Sequence, residues 1–231
     1  MTKLIAALHG ADLAPRLTAP TFREELAAAG ATAVQVNLDD ADVAPAMRFG
    51  PGEPITAFVS VWDAETEAAL ALLADLEPGL HAYRVTERVR LDPLPVPDGT
   101  RSDVLANLAV LRRPASMTQE EYLEWWMVHH TPNAIRTQDT SAYIQNIVAE
   151  ALTASSPEIS AIVEEHFPMA GMTDPHAFYG SRGDQAELDR RITELMGSVA
   201  RFGADQGLDL VPTSRYFWRL DVELDETDRD T

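Results

Sequence analysis

Two histidines, His129 and His130, follow two tryptophans, Trp125 and Trp126, inside the stretch Met117–Asn146, MTQEEYLEWWMVHHTPNAIRTQDTSAYIQN. An imidazole is the side chain whose ordinary pKa lies nearest neutrality, and an apolar neighbour tunes it for proton transfer. Tyr122, Trp126, His129 and His130 stand at i, i+4, i+7 and i+8, so they share one helix face. The pattern points to His130 as a general acid/base with Tyr122 and Trp126 as the wall of an apolar pocket. The alternative is a histidine that caps the helix end on a backbone carbonyl. His129, one position round, reads as a surface or supporting residue. A second candidate sits further on, where Ile159, Ala161, Val163, Glu165 and Phe167 alternate along one strand face. A carboxyl in that apolar row must be paired or neutralised, so Glu165 is either a second acid/base group with a raised pKa or a salt bridge to Arg112, Arg215 or Arg219. His166 lies on the opposite face and Phe167 offers a pocket wall. Tyr143 and Asn146 are candidate substrate contacts, also on opposite faces of their strand, so a bulge would be needed to bring both to one pocket. Tyr216 and Trp218 read as core or pocket wall.

Much chemistry is excluded. The chain has no cysteine, which removes disulfides, thiol nucleophiles and cysteine-bound metals and suits the cytoplasm. His129, His130, Glu164, His166 and His176 form no recognisable metal spacing, and nothing singles out a haem ligand. There is no G-x-G-x-x-G or phosphate loop and no G-x-S-x-G elbow. No cofactor and no metal is therefore expected. A net charge of −19 disfavours nucleic acid and anionic lipid as partners. No apolar run approaches the ~18 residues of a membrane span, and the N-terminal apolar segment is too short for a signal peptide.

The elements that would position these residues follow from pattern. Thr118 with Glu121 forms a capping box at the start of the central helix, and Pro132 predicts its end or a kink just after His130. Before it, Lys3–His9, Ala31–Leu38, Ile55–Trp62 and Leu80–Leu91 read as strands. One helix is opened by a Thr21–Glu24 box, and a second, Ala64–Leu76, is capped by Asp63. After it, Val104–Arg112, Ala142–Ala151, Ile159–Phe167 and Val211–Leu220 read as strands. A helical region from Asp174-Pro175 to about Phe202 breaks near Gly180–Gly183, and Glu226–Thr231 is a polar tail. The order β-α-β-β-α-β occurs twice. The proline-rich segment DPLPVPDGT between them favours an extended connector. The expected fold is α+β: residues 1–93 form one ferredoxin-like half, 94–101 a linker and 102–231 the other half.

Thr118, Glu120, Glu121 and Tyr122, then Trp126, His130, Thr131 and Pro132, then Tyr143, Ile144, Gln145 and Asn146 resemble the signature of the EthD family. That family belongs to the dimeric α+β barrel superfamily, in which two four-stranded sheets pack face to face. The resemblance implies that the two halves supply both sheets, giving an intramolecular barrel, a pseudo-dimer that is monomeric or a homodimer. It implies a cofactor-free enzyme doing isomerase, cyclase or lyase chemistry on an apolar aromatic, lactone or polyketide-like molecule. The pocket would lie between helix and sheet of the C-terminal half. Two alternatives are a cofactor-independent monooxygenase and a non-catalytic small-molecule-binding or accessory protein. The residues assigned are His130 and Glu165 for catalysis, and Tyr122, Trp126, Tyr143, Asn146, His166 and Phe167 for substrate.

Overall fold

The computed structural model describes residues 2–220, so the predicted tail Glu226–Thr231 lies outside the described residues. Eight strands form: β1 (Lys3–Leu8), β2 (Ala33–Leu38), β3 (Ala57–Trp62), β4 (His81–Leu91), β5 (Leu105–Leu111), β6 (Ala142–Ala151), β7 (Ala161–Phe167) and β8 (Asp209–Arg219). Within the first half the strands lie in the order β4-β1-β3-β2, and within the second β8-β5-β7-β6. Two antiparallel seams, β2 with β8 and β4 with β6, join the halves into one closed eight-stranded barrel. The fold is a tandem ferredoxin-like α+β barrel made within a single chain. No helix among the described residues is long and apolar enough to cross a membrane.

Helices cover the outside. The first half carries α1 (Ala14–Leu17), α2 (Pro20–Ala28) and α3 (Thr66–Leu76). The second carries α4 (Gln119–Glu124), α5 (Thr131–Thr137), α6 (Pro175–Phe178) and α7 (Gln185–Arg201). Alternation along each strand sends one set of side chains to the helices and the other into the lumen. Val34, Val36, Val59 and Val61 pack under α2 and α3 with Phe22, Leu26 and Leu73. Ala109, Leu111, Tyr143, Ala161 and Val163 pack under the second helical layer with Tyr122, Trp126 and Leu195.

Three local expectations are corrected. Helix α2 begins at Pro20, with Ala19 as N-cap and no side-chain cap, rather than at a Thr21–Glu24 box. A proline suits the first helical position because its missing N–H would be unpartnered there anyway, and that moves Thr21 inside the helix. Helix α3 is capped by Glu65, whose carboxylate accepts from the Glu67 and Ala68 amides. Asp63 is turned away at φ 61 and its carboxylate accepts from Thr2 N and Thr32 Oγ1 instead. Pro132 does not end the central helix. The Thr118–Glu121 box forms as expected and opens α4, but Trp125–His130 is a π-helical turn that runs straight into α5. The wider turn carries the Thr131 N–H to the Trp126 carbonyl, five residues back, and makes room for the prolyl ring that an α-helical turn would exclude.

The lumen is divided by polarity. Ile5, Phe58, Tyr83, Leu108, Val110 and Ile162 fill one end. The other end holds a buried polar network around Glu164. Glu164 accepts from His166 Nε2 at 2.7 Å and from Gln35 Nε2 at 2.7 Å, and lies 3.4 Å from Arg215 Nε. Lys3 Nζ donates to Glu87 at 2.6 Å and to Asn146 Oδ1 at 2.9 Å. Burial alone would raise the Glu164 pKa. The His166 hydrogen bond and the charges of Arg215 and Lys3 outweigh it and bring the carboxyl down to about 2. A depressed acid stabilises the fold above its unfolded pKa and loses that contribution as pH falls through the folded value. Urea unfolding of the wild type should therefore weaken as pH falls from 4.5 towards 2, and Glu164→Gln should flatten that part of the profile.

Candidate active site

Strand β7 presents its two adjacent glutamates to different worlds. Glu164 faces the lumen, whereas Glu165 faces the second helical layer. Asn107 of β5 lies opposite it on one side and Tyr143 of β6 on the other. The expected salt bridge is not made. Arg112 pairs with Asp209 at 2.7 Å, Arg215 with Glu164 and Arg219 with Asp98 at 3.6 Å. Glu165 is half-buried as a residue, but its Oε1 is sealed off and has no hydrogen-bond partner among the described residues. Burial pushes the carboxyl up to about 7.

Glu165 is not alone in lacking a partner. Asn107 Oδ1, Gln145 Oε1 and Tyr122 Oη are also buried and unpartnered among the described residues, and all lie in the same helix–sheet layer. Buried polar atoms are nearly always satisfied in folded proteins, so each of the four calls for a partner other than the described side chains. Burial raises the phenol pKa of Tyr179, and the Glu165 charge adds to the shift. Asn107 and Tyr179 form part of the wall of a hollow of about 180 Å³ that also touches Leu105, Met172, Phe178 and Leu210. Glu165 is thus a neighbour of two residues lining an apolar hollow.

The remaining predicted residues divide between the faces. Trp126, Tyr122 and Tyr143 are buried to 0–1% exposure in the layer that holds Glu165. Phe167 stacks on Phe178 with centroids 4.1 Å apart, directly behind the hollow. Asn146 and His166 point into the lumen, bonded to Lys3 and to Glu164, so they do not meet the others. No bulge brings Asn146 round to Tyr143. His130 is 8% exposed, and its partner is a side chain rather than a helix-end carbonyl. Nδ1 is 3.0 Å from Ser198 Oγ of α7, and the ring packs 4.8 Å from Phe202. Burial lowers its pKa to about 4, which leaves the imidazole neutral at neutral pH. His129 is exposed beside Trp125.

The sequence reading missed Asn107, Gln145 and Tyr179. Asn107 carried the signal that revealed Glu165, a polar residue in a row with Ala109 and Leu111. Gln145 shares the outward face of β6 with Tyr143, and its Nε2 donates to Thr131 Oγ1 at 2.8 Å.

No protein-family model and no curated protein sequence matches the chain. Solved structures do match. An anthrone oxidase-like protein superposes with a TM-score of 0.52 over 96% of this chain and 94% of its own, at 10% identity. A candidate monooxygenase of Lactobacillus acidophilus NCFM gives 0.48 over 95% and 96%, at 7% identity. The first establishes a shared fold along nearly the whole chain.

Two titrations check this geometry. An acid whose pKa is raised on folding costs stability as pH rises through the interval between its unfolded and folded values. From 4.5 to about 7 the cost reaches about 3 kcal/mol. Glu165→Gln should gain on the wild type by roughly that amount between pH 4.5 and pH 8 in urea unfolding. The His130 ring, followed by NMR, should stay neutral until the pH approaches 4.

Proposed function

We propose that this chain is a small-molecule enzyme that moves a proton on a flat, largely apolar substrate without a bound cofactor, with Glu165 as the acid/base. One observation carries the proposal. Glu165 has a carboxyl with a pKa of about 7 and a bare Oε1, beside residues that line an apolar hollow. A general base works best when its pKa lies near working pH and no counter-charge competes for its lone pair. The substrate class is a carbon acid, a ketone or lactone whose neighbouring C–H is acidic. Glu165 takes the proton, the electron pair moves to the carbonyl oxygen, and the Asn107 amide and Tyr179 hydroxyl, which line the hollow, serve as donors to that oxygen. Return of the proton to another carbon completes an isomerisation, and loss of a leaving group completes an elimination.

The order of the signature residues supports this reading and a place among EthD-like proteins. Tyr122, Trp126, Thr131 and Tyr143 all lie in the layer over Glu165. The site needs no second copy, since the barrel closes within one chain. The chain's lack of cysteine fits a cytoplasmic setting. His130 takes the part of a neutral support that fixes the π-helical turn against α7.

A second reading starts from the same carbanion, and the named oxidase-like structural relative favours testing it. A CH2 group that loses a proton and meets dioxygen becomes a ketone, with one oxygen atom retained and the other leaving as water. Anthrone serves both readings, because its methylene exchanges protons and its oxidation gives anthraquinone plus water. Under argon in D2O, the wild type should speed exchange at that methylene. The rate should rise with pH about a midpoint near 7. Glu165→Gln should lower it by about 10²–10⁴, whereas His130→Ala should lower thermal stability and keep the midpoint. Quinone formed in air would establish the oxidative reading. Thermal stabilisation by anthrone without exchange or quinone would assign binding alone, and unchanged exchange in Glu165→Gln would remove the carboxyl's role.

A further inference from the structure

The polar end of the lumen is open. A cavity of about 430 Å³ lies at this mouth, within the size range of small-molecule sites. Its floor is Lys3, Gln35, Glu164 and Arg215, and its walls include Trp62 and Phe217, whose rings meet edge to face at 5.8 Å. The segment between β4 and β5 crosses it, and Pro93, Leu94, Pro95 and Val96 all line the cavity. The far end of that crossing is tied to β8. Gly99 N donates to Phe217 O at 2.8 Å, and Arg219 N to Asp98 Oδ2 at 3.0 Å. Gly99 has φ +77, and a Cβ there would stand 2.5 Å from Trp218 Nε1, so only glycine fits the anchor.

The charges on the floor say what the mouth can hold. Lys3 and Arg215 each have a carboxylate of their own, Glu87 and Glu164, so the floor is neutral overall. An added anion would face both carboxylates. Hydrogen-bond donors nevertheless remain. An ammonium has three N–H groups; Lys3 uses two, on Glu87 and Asn146, and its ammonium also lies over the Trp62 ring, 4.4 Å from the centroid, as the Arg215 guanidinium lies 5.4 Å from that of Phe217. Arg215 engages Gln35 and Glu164 through Nε and Ser102 through Nη1. Its Nη2 has no partner among the described residues. Both cations line the same cavity as the two aromatic rings.

We propose that this mouth is a second binding site, separate from the Glu165 hollow, for a neutral planar aromatic molecule bearing a carbonyl oxygen. The rings lie against Trp62 and Phe217 beneath Leu94, and the oxygen accepts from Lys3 and Arg215. Aromatic walls around a few fixed donors are how small-molecule sites combine affinity with orientation. A ligand that carries the oxygen gains bonds to these charged donors, and one that lacks it leaves them to water at the open mouth.

The probes are 9-fluorenone and fluorene, which share a ring system and differ in the oxygen, measured by equilibrium dialysis. The wild type should bind the ketone about tenfold or more tightly than the hydrocarbon, the value of one hydrogen bond from a charged donor. Lys3→Met, which leaves only the Arg215 donor, should narrow that gap. Leu94→Glu, at a position 60% exposed, should weaken both ligands without touching the fold. Glu165→Gln should change neither, which separates this site from the proposed catalytic one. Should Lys3→Met fail to fold, Leu94→Glu decides alone. No ketone binding up to its solubility limit, equal affinity for the two probes, or tighter binding of fluorenone-2-carboxylate than of fluorenone would overturn the proposal. So would wild-type affinity in Leu94→Glu.

Discussion

Neither half of this chain can bury both faces of its own sheet. Each half has helices on one side only, and its other face carries Ile5, Phe58 and Val85 in one case and Leu108, Ile162 and Val211 in the other. Left exposed, such faces would drive association, and the strand edges would invite pairing with other chains. The β2–β8 and β4–β6 seams resolve both problems together. They bring the apolar faces into contact and leave no unpaired edge, since a closed barrel has none. Every other feature of the molecule is set within that closure.

Closure gives each strand two chemistries, and β7 shows the consequence most clearly. Glu164 and Glu165 differ by one position and face opposite ways. The lumen surrounds Glu164 with a histidine, an arginine, a lysine and a glutamine, and it stays ionised. The helix–sheet layer gives Glu165 no cation, and its carboxyl is driven the other way. The two opposite shifts come from the same backbone within one residue, which is what a period of two imposes on a sheet lined differently on its faces.

Periodicity made much of this readable. The eight strands fall close to their expected positions because alternation of apolar residues persists through each, and the twofold β-α-β-β-α-β order predicts the paired sheets. Glu165 stood out because it breaks an apolar row. The helix caps were less readable. Thr21 and Asp63 have the right chemistry for capping, but Pro20 and the pull of Thr2 and Thr32 settle the local geometry otherwise. Pro132 misleads because a π-helical turn accommodates it, and that depends on Thr131 and the packing beneath it. The lumen network was the least readable part. Lys3, Gln35, Glu87 and Arg215 lie up to 180 positions apart in contact pairs such as Gln35–Arg215, and no local pattern links them.

A barrel assembled from two identical subunits repeats each of its features by symmetry. Any substitution in such an assembly is made twice, and both seams must tolerate it. Here the seams are free to diverge, and they have. β2 and β8 pair in unbroken register, whereas β4 and β6 slip at Arg84/Val85 and again at Val89/Leu91. Joining the halves in one chain thus lets one sheet keep a carboxyl beneath its helices while the other keeps the layer beneath its own helices apolar. Selection can then act on each half separately, a freedom that a symmetric pair lacks.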